Sequence, residues 1–392
     1  MATEESSIEE NVEQATVHKI MKEWPVYTMS ETASVEERRA MVVKAMDNLE
    51  NIQWTPDRRF TYRKTGSGDK YNFEFIPSKV YSGIPYTNGD AGIFQWVSAM
   101  NMEKGILDKA DFENINFTQG ATCSTTVCWA CMPVSNSVKA PWLTYYLVPK
   151  NGFVPVGNMK YPEGLESYKD YPTDRIVEDN GTEGMLEAYA ACLPADALVS
   201  TGSPKTDNHT VMVIEAPTVV RKEDGTIDAE KSTITIRDQR FVERAEQVDG
   251  HTVYYHGRDK AELTFKYILN LNFIPVMLLD FRDNNPYVKA EAKLSAACET
   301  LAELADATVQ SNYCVCILYG RVISKNGAVL YEEKKTTVGR EIRIGEAFDY
   351  PVKNVLTETL TDFAKKTADA RVQIEAVLAT GERFNLAEVS VK

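Results

Sequence analysis

An α+β fold followed by a separate all-β unit is predicted by three observations. The turn Gly120-Ala121 leads into a stretch where Cys123, Val127, Ala130 or Cys131 and Val134 recur at helical spacing, so a buried helix starts at Cys123. Asn208 to Ala216 and Ser232 to Gln239 read as two strands joined by a polar hairpin around Asp224-Gly225, which makes the pair antiparallel. Beyond the turn cluster Asp283-Asn284-Asn285-Pro286, Lys325-Asn326-Gly327 and Thr380-Gly381-Glu382 each separate two strand-like runs. That hairpin spacing fits a small Ig-like β-sandwich of roughly 110 residues.

The chain divides accordingly into an N-terminal acidic arm and helix (1–55), a catalytic-type α+β domain (56–283) and the sandwich (284–392). Residues 1 to about 30 are polar and acidic, with one weakly amphipathic piece from Val17 to Trp24. Ser34-Val35-Glu36-Glu37 is a capping-box pattern, and Val42, Ala45, Met46 and Leu49 share a face behind it, so a helix runs to about Glu50. Tyr71, Phe73 and Phe75 alternate as a strand does. Tyr81 to Asp90 is a turn-rich loop that holds Tyr86 on irregular backbone. Phe94, Trp96, Met100, Met102 and Phe117 read either as core or as the wall of a substrate groove, with Trp96 the candidate substrate contact. Residues 140–182, rich in Tyr, Pro and Gly, read as surface loop. A helix follows at about 182–191, then Leu193 to Val199 leads into a strand. Residues 260–281 read as a helix followed by the strand Phe273 to Phe281. In the last unit Val372, Ile374, Ala376 and Leu378 alternate as one face of a strand.

Composition excludes several function classes. With 43 Lys+Arg against 57 Asp+Glu the net charge is -14, which repels nucleic acid and anionic lipid. No apolar run reaches the roughly 18 residues of a spanning helix, so no membrane insertion is expected. The N-terminus has neither a basic nor an apolar signal region, and the seven cysteines suit reduced thiols. A cytoplasmic location is expected as the chain is written, or an extracytoplasmic one if a signal peptide has been removed.

The chemistry centres on Cys123. A thiol at a helix N-terminus meets unpaired backbone N–H groups and the positive end of the helix dipole, and both favour the thiolate. A cysteine hydrolase also needs a histidine to move the proton and a third group to hold the ring. His209, which opens an apolar strand, is the candidate base. Asp238 or Gln239 on the next strand is the candidate orienter. Strand parity favours Asp238, which shares the face of Ile234 and Ile236, while a bulge would bring Gln239 round instead. His18, His251 and His256 sit in less suggestive surroundings.

Taken together, Gly83-Ile84-Pro85-Tyr86, Thr122-Cys123-Ser124 opening a helix, Leu193-Pro194-Ala195-Asp196-Ala197-Leu198 and the His209 strand resemble, in that order, the papain-like NlpC family of bacterial cell-wall peptidases. The resemblance covers about residues 80 to 240. It implies a papain-like domain with the cysteine helix packed on an antiparallel sheet, Cys123 as nucleophile, His209 as base, a polar orienter on the next strand and Tyr86 beside the nucleophile. It also implies amide hydrolysis in peptidoglycan-type peptides, with the oxyanion held by the Cys123 N–H and by Tyr86 or Gln119. Gln119, Trp96 and Ser124 are the expected substrate contacts, a peptide or peptidoglycan fragment the expected partner, and no cofactor or metal is expected. The chain departs from the family pattern at Thr122, where an acidic residue is usual, at Thr125 and Ala195, where glycines are usual, and in the long interval between Tyr86 and Cys123.

Three other readings compete. Cys128-Trp129-Ala130-Cys131 has redox Cys-x-x-Cys spacing but lies inside a helix, with no βαβ pattern before it. A zinc site joining that pair to Cys314 and Cys316 is weaker still, since the latter two share one strand face and fill a core. The serious alternative is a catalytically weak or inactive papain-like protein that binds a peptide or glycan, with the sandwich as a docking module.

Overall fold

The computed structural model describes residues 24–63, 72–86, 91–107, 120–202, 208–239, 244–248, 250–255, 260–347 and 369–390. Gln119, His18, His256 and Phe117 fall outside them. The fold is mixed α+β with several sheets. Contacts divide the chain into two units that interleave along the sequence: 1–25, 43–130 and 142–277 in the first, and 26–42, 131–141 and 278–392 in the second. The three consecutive segments read from the sequence miss this interleaving. Its physical reason lies in buried polar bonds: Ser135 and Ser137 donate their hydroxyls to Asp280, and the Arg340 guanidinium donates to the Asn136 carbonyl. Residues 131–141 are thereby bonded into the C-terminal unit.

The first unit is built on a six-stranded sheet in the order Lys260–Thr264, Thr233–Arg237, His209–Val213, Ala197–Ser200, Ile274–Leu278, Phe153–Pro155. The His209 strand is central, and it runs antiparallel to both neighbours. Its residues from Thr210 to Val213 are all buried, as expected for an interior strand. Residues 260–264, expected to be helical, form an edge strand of this sheet, and the helix is only Phe265–Asn270. Thr264 explains the boundary, since its hydroxyl accepts from the Tyr267 N–H and caps the helix start. The helix expected at 182–191 begins earlier, at Thr173, and is broken at Gly181, which adopts φ +63°.

Two smaller four-stranded sheets complete the unit, one of them holding Gln53–Pro56 and Tyr81–Ser82. An aromatic cluster packs there. Trp54 stacks on Tyr81 and Phe75 and meets the edge of Trp96 at 5.0 Å. Trp96 is fully buried in the helix Ile93–Ser98, so it belongs to the core and not to a groove wall. The sequence could not separate these readings because a large aromatic serves either use.

The helix Val35–Asn51 starts at the expected capping box, with Ser34 N–H bonded to the Glu37 carboxylate and Glu37 N–H to the Ser34 hydroxyl. The described C-terminal residues form a single antiparallel sheet around the long strand Thr308–Ile323, which pairs with Ala292–Leu294, Val329–Arg343 and Arg371–Leu378. Arg383–Ser390 pairs with the last of these. Among the described residues there is no second sheet, where the hairpin spacing predicted a sandwich. The alternation of Val372, Ile374, Ala376 and Leu378 is used differently: that face is covered by Leu304 and Ile344 of two short helices and by Tyr287 and Tyr313. Hairpin spacing reports strand pairing and says nothing of what covers the sheet. Among the described residues no helix is long and apolar enough to cross a membrane.

Gly92 sets the position of the cysteine helix. A Cβ there would lie 2.5 Å from the indole of Trp129, which is on that helix and 4% exposed. Gly92→Ala is therefore expected to lower unfolding free energy by about 1–3 kcal/mol through overpacking, measured by urea titration of the wild type and variant.

Candidate active site

The helix Cys123–Cys131 is capped by its own sequence. The Thr125 N–H donates to the Thr122 hydroxyl, and the Thr122 N–H donates to the Thr125 hydroxyl at 2.9 Å. This is a reciprocal capping box in which threonine does at the third helical position what glutamate usually does. Two of the departures from the family pattern, Thr122 and Thr125, are thus the two halves of one cap, and they leave Cys123 as the first helical residue. A parallel bridge between Tyr86 and Ala121, with Ala121 N–H donating to the Pro85 carbonyl, draws the Gly83-to-Tyr86 loop alongside the approach to that helix. Tyr86 is half-buried there.

His209 pairs across the sheet with Ser200, and its ring lies at the end of the strand. The register Ile236 opposite Val213 and Arg237 opposite Met212 continues to place Asp238 opposite Val211, on the same face as His209. The contact is made: His209 Nε2 lies 2.7 Å from Asp238 Oδ1. Cys123 and His209 act on each other's protonation, each favouring the other's charged form. With Nε2 committed to Asp238, Nδ1 is the ring nitrogen left for the sulfur.

These contacts move protons. Burial is the largest single influence on Cys123 and acts to raise its pKa. The hydrogen bond and positive charge of His209, the Thr210 backbone N–H and the Thr144 hydroxyl together outweigh it and bring the thiol below its ordinary 9.0. Burial likewise opposes charge on His209, but the hydrogen bonds to Asp238 and Cys123 and their negative charges raise it from 6.5 to about 10. Each group is thus shifted toward its charged form, Cys123 toward thiolate and His209 toward imidazolium. Cys128, one turn further along the same helix, is pushed by burial up to about 12.

Other expected site residues stand apart from this triad. Gln239 is 1% exposed, and its amide donates to the carbonyls of Ile84 and Ala121, so it ties the Tyr86 loop to the helix approach and does not touch His209 in this arrangement. Ser124 is 1% exposed, with its hydroxyl 3.5 Å from that of Thr122, and presents no surface to a substrate. Ala195 holds the turn before the Ala197–Ser200 strand with φ +74°, the conformation for which glycine is favoured. The sequence reading missed Thr144, Thr210, Asn208 and Tyr145. Thr144 lies in the region read as loop, with no periodicity to mark it, whereas Thr210 and Asn208 could have been found simply as the neighbours of His209.

Comparison with protein-family models, curated proteins and solved structures finds no match to the chain.

The thiolate can be observed directly by its absorbance near 240 nm, taken as wild type minus Cys123→Ala. It is expected to appear below pH 9. In His209→Ala the burial of Cys123 is left without its main counterweight, so the same titration is expected to move above pH 9.

Proposed function

We propose that this chain is a papain-like cysteine hydrolase that cleaves a peptide-like amide bond with Cys123, His209 and Asp238. One observation carries the reading: a thiol at a capped helix N-terminus whose charged form is favoured by a histidine that is itself bonded to a carboxylate. A structural cysteine needs no such series.

The chemistry follows from the charges. The Cys123 sulfur attacks the carbonyl carbon, and the π electrons move to oxygen. That oxyanion is held by the Cys123 backbone N–H together with Tyr86 or Gln119, each such donor typically lowering the barrier by ~3 kcal/mol. His209, already protonated, gives its proton to the leaving nitrogen as the C–N bond breaks, leaving a thioester and a neutral imidazole. Water then attacks the thioester, the imidazole takes a proton from it, and the C–S bond breaks to return the thiolate and imidazolium. Asp238 keeps the ring oriented and supports its charge through both halves. The resemblance to cell-wall peptidases favours short peptidoglycan-type peptides as substrates.

Iodoacetamide labelling of each cysteine from pH 4 to 9, read by peptide mass mapping, tests the proposal. Cys123 is expected to label fastest and to remain reactive well below pH 8, and this advantage is expected to vanish in His209→Ala. Hydrolysis of peptidoglycan-type peptides is expected to be abolished by that labelling and to fall as pH rises through about 10, where His209 loses the proton it must donate. A Cys123 no more reactive than Cys192 or Cys298 would overturn the reading in favour of a binding protein.

A further inference from the structure

The turn Thr144–Tyr146 is hydrogen-bonded to the residues on both sides of His209. The Asn208 side-chain amide donates to the Tyr145 hydroxyl at 2.6 Å, and the Thr210 hydroxyl donates to that of Thr144 at 3.1 Å. Asn208 suits its place because it adopts φ +44°, which asparagine tolerates better than most residues, and because its carbonyl also accepts from the Gly202 N–H at 3.3 Å. The turn and the histidine strand therefore share one register.

From this register Thr144 reaches the sulfur. Its Oγ1 lies 3.9 Å from Cys123 Sγ. A hydroxyl has one proton and two lone pairs. The bond from Thr210 takes a lone pair, so the proton of Thr144 is free to point at sulfur. Thr144 is 5% exposed and Thr210 is fully buried, so no bulk water competes for these bonds. Thr210 thus reaches the sulfur through Thr144.

Building on the hydrolase reading of this site, we infer that Thr144 is a further catalytic residue, the end of a two-hydroxyl relay from Thr210 that donates a hydrogen bond to the resting Cys123 thiolate. No proton is transferred in the relay. The donation is strongest while sulfur is charged and weakens once the thioester forms. Thr144 therefore raises the fraction of thiolate but slightly lowers the nucleophilicity of each thiolate.

That opposition gives a signature no merely structural role shares. Alkylation of Cys123 by iodoacetamide is followed from pH 4 to 10 in the wild type, Thr144→Val, Thr144→Ser and His209→Ala. In Thr144→Val, which keeps side-chain volume, the rate on the acid limb is expected to fall about four- to twentyfold, as losing one hydrogen bond to a charged group implies once the gain in nucleophilicity of each thiolate offsets about half of it. The alkaline plateau is expected to hold or rise slightly, and Thr144→Ser to restore the wild-type limb. An unmoved limb, a limb and plateau that fall together, or failure of Ser to restore would overturn the relay while a shifted His209→Ala profile left the hydrolase reading standing. A wild-type Cys123 with an ordinary thiol profile, unchanged in His209→Ala, would overturn both.

Discussion

The hydrogen bond between His209 and Asp238 is the constraint on which the rest of the site depends. A buried imidazolium is strongly disfavoured unless a fixed negative partner replaces the water it loses. Asp238 supplies that partner on one side and the Cys123 sulfur on the other. Each of the three groups sits on a different element, so all three elements must hold their register for any one charge to persist. The central place of the His209 strand, flanked on both sides by hydrogen-bonded strands, meets that need. The threonine capping box meets it for the helix, because a frayed first turn would release Cys123 before anything else.

Cys123 and Cys128 separate burial from position. Both are buried on one helix, and burial acts on both to favour the neutral thiol. Cys128 Sγ donates to the Trp142 carbonyl, the backbone hydrogen bonding at Trp142 does not offset burial, and it stays a thiol up to about 12. On Cys123 the Thr210 N–H, the Thr144 hydroxyl and the His209 imidazolium together outweigh burial. The difference lies in what surrounds each sulfur, and the cysteine pair spaced as Cys-x-x-Cys gains no redox character from its spacing.

How much of this was legible in the sequence varies with the range of the interaction. Helix starts were readable where the cap is local, as at Ser34 and Glu37, and hairpins where a glycine marks the turn, as at Gly327 and Gly381. Strand parity placed Asp238 on the face of Ile234 and Ile236 because the period of two is fixed by the backbone, while the register that sets it on the face of His209 is seen only in the structure. What could not be read depends on partners distant in sequence. Thr144 contacts residues more than 20 positions away in either direction, and no local pattern announces it. The interleaving of the two units rests on Asp280 collecting hydroxyls from Ser135 and Ser137, bonds that span more than 140 residues. The sheet formed by the described C-terminal residues could not be told from half of a sandwich, because alternating burial is the same whether a second sheet or a pair of short helices does the covering.

The two groups bear on stability in opposite directions with pH. His209, raised from 6.5 to about 10, keeps a proton in the folded chain that the unfolded chain has lost, so its contribution is full below 6.5 and declines as pH rises to about 10. Cys123, lowered from 9.0, gives up its proton in the folded chain before the unfolded chain does, so its contribution is full above 9.0 and declines as pH falls through its folded value. Between 6.5 and 9.0 the two slopes therefore have opposite signs. Each shift is caused in part by the other group, so the charge of one is bound to the charge of the other, and the pair tilts stability less than either group would alone.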